Sequence, residues 1–159
     1  MAINVAINGF GRIGRSILRA VYESNNKEIK IVAINDVGDF KVSALLIKYD
    51  SVHGFFSKSV ESNENELIID GDKIPIYSDR DPTHLDWAKH NVDVVYECTG
   101  KFTKKEDAKV HIEVGGAKKV IISAPGQNAD STIVYGVNED SIVSEDKIIS
   151  NPSCTTKNI

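Results

Sequence analysis

Short runs of apolar, mostly β-branched residues alternate with stretches of helical spacing along the chain. Residues 3–7 (Ile-Asn-Val-Ala-Ile) predict a short buried strand, and residues 29–34 predict a second one. Between them, residues 12–22 place apolar side chains three and four positions apart, which is typical of an amphipathic helix. These three elements together predict a βαβ unit at the start of the chain.

The same alternation continues through the rest of the sequence. Helical spacing returns at residues 40–48 and 104–114, and an Asp-Gly turn at residues 70–72 predicts a hairpin. Its two strands and the later strands are predicted at residues 66–70, 73–78, 92–97, 119–123, 132–135 and 147–150. Because parallel neighbours need a crossover connection, strands alternating with helices predict an α/β fold with a mostly parallel sheet.

Composition and charge narrow the class of protein. The chain is 41% hydrophobic and 26% charged, which is ordinary for a soluble globular protein. A net charge of -4 disfavours nucleic acid as the main partner, and no apolar run reaches the roughly 18 residues that span a membrane. Two cysteines are too few for a disulfide framework, so a reducing cytoplasm is the expected location.

A glycine-rich motif stands where the first strand meets the first helix. Residues 9–14 read Gly-Phe-Gly-Arg-Ile-Gly, a G-x-G-x-x-G pattern in the strand–helix context that makes it informative. Gly9 would permit the tight turn, Gly11 would let a pyrophosphate approach the backbone, and Gly14 would let the helix pack closely. The helix N-terminus favours phosphate, and Arg12 would add positive charge.

An acidic residue follows the second strand at the position that suits a ribose. Asp36 lies 22 residues after Gly14, where a carboxylate would accept hydrogen bonds from a ribose diol and repel a 2′-phosphate. A structural turn with a helix-capping Asp is the alternative interpretation. Spacing and context together favour a site for NAD rather than NADP.

Of the two cysteines, only the second is a candidate nucleophile. Cys154 lies in residues 151–156 (Asn-Pro-Ser-Cys-Thr-Thr), after a predicted strand, where the first turn of a helix would stabilise a thiolate. Ser153 and Thr155 would donate hydrogen bonds to an oxyanion or phosphate. From the residues alone, a buried cysteine without chemistry is the more frequent case. Cys98, within an apolar strand, is predicted to be a core residue.

The histidines give weaker signals. His84 and His90 are predicted to lie at the surface, His111 to be a packed or solvated helix residue, and His53 to have a structural role in a loop. None has metal-ligand spacing with cysteines or carboxylates, so no metal site is predicted.

Several ordered segments together resemble one family. They are residues 8–15 (Asn-Gly-Phe-Gly-Arg-Ile-Gly-Arg), 48–54 (Lys-Tyr-Asp-Ser-Val-His-Gly), 97–102 (Glu-Cys-Thr-Gly-Lys-Phe), 117–125 (Ala-Lys-Lys-Val-Ile-Ile-Ser-Ala-Pro), 135–138 (Tyr-Gly-Val-Asn) and 153–156 (Ser-Cys-Thr-Thr). Over essentially the whole chain, this set resembles the glyceraldehyde-3-phosphate dehydrogenases.

The resemblance implies a doubly wound, Rossmann-like NAD-binding domain at residues 1–150. Residues 151–159 would then begin the catalytic helix and the substrate domain. The implied cofactor residues are Asn8, Gly9, Phe10, Gly11, Arg12 and Ile13 at the pyrophosphate, Asp36 at the adenosine ribose, Arg80 beside the adenine, and Thr99, Gly100, Phe102 and Ser123 toward the nicotinamide.

The resemblance also implies the chemistry of glycolytic aldehyde oxidation. Cys154 would attack the aldehyde of glyceraldehyde 3-phosphate, and the resulting thiohemiacetal would pass hydride to NAD. Inorganic phosphate, bound in part by Ser153 and Thr155, would then cleave the thioester. Members of the family are cytoplasmic homotetramers, so a homo-oligomer is implied here as well.

Two alternatives compete with this interpretation. An erythrose-4-phosphate dehydrogenase would use water instead of phosphate, but its chains tend to carry Glu in place of Asp36 and His-Pro in place of Ala124-Pro125. The other alternative is a binding module that holds NAD without chemistry.

Departures from the family pattern favour a form without activity of its own. Residues 157–159 (Lys-Asn-Ile) depart from the family's continuation, and Pro152 and Phe55 replace its usual residues. The family's catalytic histidine, its second-domain phosphate arginine and its closing helix have no counterpart in this sequence. We therefore expect the chain alone to lack dehydrogenase activity, and to expose an apolar patch that promotes association.

Overall fold

The computed structural model describes residues 1–152 of the chain. Ser153, Cys154 and Thr155, the residues predicted for nucleophilic attack and phosphate binding, lie outside this range, as does most of the predicted second domain at residues 151–159. The predictions made for them are therefore carried forward as predictions.

Short strands and helices alternate along the described chain. The strands are β1 (Ile3–Asn8), β2 (Ile29–Asn35), β3 (Tyr49–Asp50), β4 (Gly54–Phe55), β5 (Val60–Ser62), β6 (Glu66–Ile69), β7 (Asp72–Tyr77), β8 (Val94–Glu97), β9 (Lys119–Ile122), β10 (Ser131–Thr132) and β11 (Ile148–Ser150). The helices are α1 (Arg12–Glu23), α2 (Phe40–Lys48), α3 (Lys105–Ala108) and α4 (Val110–Glu113). Short 3-10 turns lie at Pro82–His84, Ala88–His90 and Glu139–Ser141.

Nine of these strands form one sheet, in the order β10-β11-β9-β8-β1-β2-β7-β6-β5. Pairing is parallel from β10 to β7 and antiparallel only from β7 to β5. This confirms the predicted α/β fold with a mostly parallel sheet. The chain first builds outward from β1 to β2 and later returns to the other side of β1 with β8, so the strand order reverses at β1.

Both faces of the sheet are covered, as a parallel sheet requires. Along β1, Val5 and Ile7 belong to the apolar cluster that α1 and α2 cover, whereas Ala6 belongs to the cluster around Trp87 on the other face. The strand is therefore apolar at three consecutive positions, residues 5–7, because alternate side chains enter two different cores.

The predicted hairpin is present, with Asp70 and Gly71 in its turn at φ values of 50° and 89°. Positive φ at both positions is the geometry that favours Asp-Gly between antiparallel strands.

Two predicted elements differ from the structure. The strand expected at 132–135 is limited to Ser131–Thr132, because the Asn138 side chain donates to the Thr132 carbonyl and accepts from the Val134 amide, which turns the chain away. The helix expected at 104–114 is interrupted at Lys109, between α3 and α4. The hairpin of β3 and β4, and strand β5, were not predicted.

A buried arginine connects α1 to the segment that follows α2. Arg19 is 3% exposed, and its guanidinium donates to the carbonyls of Ile47, His53 and Gly54 at 3.1, 3.3 and 2.9 Å. It also lies 5.1 Å from the centre of the Phe56 ring. These contacts hold the β3–β4 hairpin against α1.

Replacing this arginine tests that connection. We expect Arg19→Met to lower the free energy of unfolding by about 2–4 kcal/mol, because the buried carbonyl of Ile47 and the partly buried hydrogen bonds to His53 and Gly54 lose their charged donor. Urea unfolding measures the change. Arg80→Met, at an exposed arginine, is the matched control and should change stability by less than about 0.5 kcal/mol. Equal stability of the two variants would contradict the assigned role.

Candidate functional site

A cleft of about 210 Å³ opens at the carboxyl ends of β1, β2 and β8. This is the edge of the sheet where the strand order reverses, the usual ligand position in open parallel sheets. The cleft is lined by Asn8, Gly9, Gly11, Asn35, Asp36, Val37, Asp79, Arg80, Pro82, Cys98, Thr99, Lys101 and Phe102.

The glycine motif shapes the floor of the cleft by close backbone approach. Gly9 has a φ of 93°, and a Cβ there would lie 2.7 Å from the Thr99 nitrogen. A Cβ on Gly14 would lie 2.3 Å from the Gly9 carbonyl oxygen, whereas one on Gly11 would meet no atom within 4 Å. Gly9 and Gly14 are thus required by packing, while Gly11 leaves open space.

The start of α1 faces the same opening. Gly11 is its N-cap residue and supplies no side-chain capping bond. The first N–H groups of a helix lack intrahelical partners and carry the positive end of its dipole. Together with the space above Gly11, this geometry suits an anionic group such as a pyrophosphate.

The rim beyond β2 is acidic. The Asp36 carboxylate accepts a hydrogen bond from the Gly38 amide at 3.3 Å and lines the cleft. Asp79 lies nearby, and backbone donation from Asp81, followed by the His84 side chain, holds the pKa of Asp79 below its usual value. A hydroxyl-bearing group is suited to this rim, whereas an additional phosphate would be repelled.

The opposite rim follows β8. Cys98, predicted to be a core residue, is only half-buried: it contacts the core and also lines the cleft. Burial raises the pKa of the Cys98 thiol to about 11, so the thiol stays protonated near neutral pH. Cys98 is therefore a poor nucleophile, since the thiolate is the reactive form.

More than half of the predicted cofactor residues line the cleft. These are Asn8, Gly9, Gly11, Asp36, Arg80, Thr99 and Phe102. The predicted residues that do not line it are Phe10, Arg12, Ile13, Gly100 and Ser123.

For three of these residues, the structure gives a reason. The Phe10 side chain is fully buried and stacks on Phe40 with ring centres 6.1 Å apart, so it belongs to the core. Arg12 lies 3.6 Å from the Asp50 carboxylate, which draws its charge toward the β3–β4 hairpin. The Ser123 hydroxyl donates to the Glu97 carbonyl at 3.1 Å.

Sequence reasoning missed several residues of the site. Asn35, Val37, Asp79, Pro82 and Lys101 line the cleft, and Glu97 and His111 are fully buried beneath it. Glu97 had a detectable signal: it is a charged residue inside an apolar strand, and such residues are almost never buried without partners.

Two other features are absent from the described part of the chain, a metal cluster and a membrane-spanning helix. No group of three or more His, Cys, Asp or Glu in residues 1–152 is arranged to hold a metal ion. None of the helices there has the length and apolarity needed to cross a membrane.

A parallel sheet with a glycine turn at its reversal point and an acidic residue after the second strand defines an α/β dinucleotide-binding domain. Residues 3–105 match the family model described as glyceraldehyde 3-phosphate dehydrogenase, NAD binding domain. The chain therefore belongs to the glyceraldehyde-3-phosphate dehydrogenase family, and NAD is the cofactor of this domain.

Curated relatives agree with this assignment. The chromosomal glyceraldehyde-3-phosphate dehydrogenase of Cupriavidus necator is 52% identical over 98% of this chain and 47% of its own length. Glyceraldehyde-3-phosphate dehydrogenases of Thermotoga maritima and Geobacillus stearothermophilus are each 52% identical over 98% of this chain and 46% of their own. The chain thus spans about half the length of these relatives.

The different surroundings of Gly14 and Gly11 give a matched pair of substitutions. We expect Gly14→Ala to lower the free energy of unfolding by about 1–3 kcal/mol, because its methyl group would collide with the Gly9 carbonyl. Gly11→Ala should change it by less than about 0.5 kcal/mol, since Gly11 has a φ of -72° and open space around it. Urea unfolding compares the two variants. Equal losses of stability would show that Gly14 is not more tightly packed than Gly11.

Proposed function

We propose that this chain holds NAD in the cleft, with the pyrophosphate over residues 9–14 and the adenosine ribose at Asp36. The observation that carries the proposal is the open space at Gly11 above the uncapped start of α1. Arg80 lies at the adenine end, and Thr99 and Phe102 lie toward the nicotinamide. Residues 1–150 form the NAD-binding domain in this proposal.

The residues present fit such a ligand. Close packing leaves no room for a side chain at Gly9 or Gly14, so the glycine loop presents backbone atoms rather than side chains to the cleft. Asp36 offers carboxylate oxygens to a ribose diol and repels a 2′-phosphate, so NAD is preferred over NADP. Phe10, Arg12, Ile13, Gly100 and Ser123 do not line the cleft, and their contact with the cofactor stays a prediction.

Within the whole protein, we propose the phosphorylating oxidation of glyceraldehyde 3-phosphate. Bound NAD supplies the hydride acceptor. Cys154 would form the carbon–sulfur bond to the aldehyde carbon, and loss of hydride to the cofactor would leave a thioester on Cys154. Inorganic phosphate, bound in part by Ser153 and Thr155, would then displace the Cys154 thiolate to give an acyl phosphate. The protein acts as a homo-oligomer, a tetramer as in the family, in the cytoplasm. We expect the chain alone to lack dehydrogenase activity.

Calorimetric titration with NAD and NADP tests the cofactor site. We expect NAD to bind at least about tenfold more tightly than NADP, and Asp36→Asn to narrow that difference, because a charged hydrogen-bond partner contributes about 1.5–3 kcal/mol. Asp140→Asn, at an exposed aspartate away from the cleft, is the control and should leave both affinities unchanged. Gly11→Ala should abolish NAD binding without loss of stability.

Other outcomes would contradict the proposal in distinct ways. A folded chain that binds neither nucleotide would show that residues 1–159 do not complete the site. Equal affinity for NAD and NADP would remove the role given to Asp36. Aldehyde oxidation by the purified chain, followed through NADH absorbance, would overturn the expectation that it lacks activity alone.

A further inference from the structure

A buried carboxylate lies directly beneath the cleft, at the end of β8. Glu97 is 1% exposed, and its Oε1 atom accepts hydrogen bonds from the amide of Thr99 at 2.8 Å and from the Thr99 hydroxyl. Its Oε2 atom accepts from Asn8 Nδ2 at 2.6 Å and from His111 Nε2 at 2.9 Å. All of these partners donate, which is how a buried charge avoids the cost of an unmade hydrogen bond.

The geometry around His111 determines which ring nitrogen carries the proton. His111 is fully buried, and its Nδ1 atom lies 3.0 Å from the indole Nε1 of Trp87. An indole N–H can only donate, so Nδ1 accepts and the proton resides on Nε2, where it is donated to Glu97. The imidazole is thus neutral. Its 3.4 Å contact with Asn8 Nδ2 joins two donors that converge on the same carboxylate oxygen.

A second chain of hydrogen bonds fixes the orientation of Asn8. The Asp79 amide donates to Asn35 Oδ1 at 2.9 Å, which assigns Nδ2 as the donor group of Asn35. Asn35 Nδ2 donates both to the Asp79 carbonyl at 2.9 Å and to Asn8 Oδ1 at 2.8 Å. Asn8 Nδ2 is then left to face Glu97. A directed series of hydrogen bonds therefore runs from the loop after β7, across β2 and β1, to Glu97 on β8.

The Thr99 amide, which donates to Glu97, also contacts the glycine loop. A Cβ on Gly9 would lie 2.7 Å from the Thr99 nitrogen and 2.8 Å from the Cys98 carbonyl carbon. The glycine loop and the loop after β8 are therefore in direct backbone contact. A shift of the Thr99 amide would therefore displace the loop after β8 relative to the glycine loop.

We propose that Glu97, together with His111 in its neutral Nε2–H form, is the positioning residue of the cofactor cleft. It sets the loop after β8, with Thr99, against the glycine loop, with Asn8. The role rests on the proposed binding of NAD in this cleft. Glu97 has no atom in the lining of the cleft and acts through Thr99 and Asn8.

Glu97→Gln is a sharp test, because neither orientation of the new amide satisfies its neighbours. An NH₂ group on the Oε1 side would face the Thr99 amide, and on the Oε2 side it would face Asn8 and His111. His111 cannot compensate by moving its proton, since Nδ1–H would then face the Trp87 indole N–H. The substitution removes the negative charge and replaces one acceptor oxygen by a donor NH₂ group, while the size of the side chain stays almost unchanged.

The expected result separates the two halves of the cofactor. We expect Glu97→Gln to weaken NAD binding about tenfold, the effect of one unmade buried hydrogen bond, and to change AMP binding by less than about twofold. AMP lacks the nicotinamide half, and Asp79 still orients Asn35 on the adenosine side. Glu113→Gln, at an exposed glutamate on α4, is the matched control and should change neither affinity.

Nuclear magnetic resonance tests the arrangement without any nucleotide. The ¹⁵N shifts of His111 should be those of the neutral Nε2–H tautomer, and Glu97→Gln should speed amide exchange at Thr99 about tenfold. Exchange at Cys98 should stay unchanged, since its amide donates to the Asn8 backbone carbonyl at 2.7 Å. The emission of Trp87, the only tryptophan of the chain, should shift in Glu97→Gln because its indole partner is disturbed.

Distinct outcomes overturn this proposal and the proposed function. A charged or Nδ1-protonated His111, unchanged Thr99 exchange, or equal weakening of NAD and AMP would each overturn the role of Glu97. If the wild-type chain binds neither nucleotide, the proposed function fails, whereas the resonance measurements still decide whether Glu97 holds Thr99. If Glu97→Gln does not fold, Thr99→Val should weaken NAD but not AMP, and Thr99→Ser should restore binding; failure of that pattern counts against the proposal.

Discussion

Three backbone segments meet around Gly9, and the rest of the site depends on that contact. The Gly9 carbonyl faces the position where Gly14 lacks a side chain, and its Cα faces the Thr99 amide, with less than 3 Å available to any Cβ at either place. Because β1, the first turn of α1 and the loop after β8 meet without side chains between them, the start of α1 is presented to the cleft as bare backbone. A phosphate group is held best by such a surface.

Polar side chains at the carboxyl ends of the parallel strands are buried beneath the cleft. Asn8, Asn35, Glu97 and His111 are each less than 5% exposed, and they satisfy one another across β2, β1, β8 and α4. Buried polar groups that are fully paired stiffen a structure, since breaking one bond leaves a donor or acceptor stranded. These four side chains therefore form a rigid base beneath the cleft, while Asp36 and Arg80 lie on its more open rim.

The buried polar side chains lie beneath the cofactor cleft of a member of the glyceraldehyde-3-phosphate dehydrogenase family. The chain spans about half the length of its curated relatives, and within its described part the cleft is bounded by the sheet and the loops that follow β1, β2 and β8. Large apolar side chains, among them Tyr135 and Val137 at 77% and 78% exposure, lie on its surface beyond β10. They are consistent with the expectation of association, which remains a prediction.

The sequence by itself determined what neighbouring residues specify: the βαβ start, the Asp-Gly hairpin and the need for glycine at residues 9 and 14 follow from local spacing and backbone geometry. It could not predict the break at Lys109, the burial of Phe10 or the pairing of Arg12 with Asp50. Only the tertiary structure brought Asn8 to Glu97 and Trp87 to His111, residues 89 and 24 positions apart. The physical reason is that hydrogen-bond partners across a parallel sheet depend on strand order and register, which local spacing does not encode.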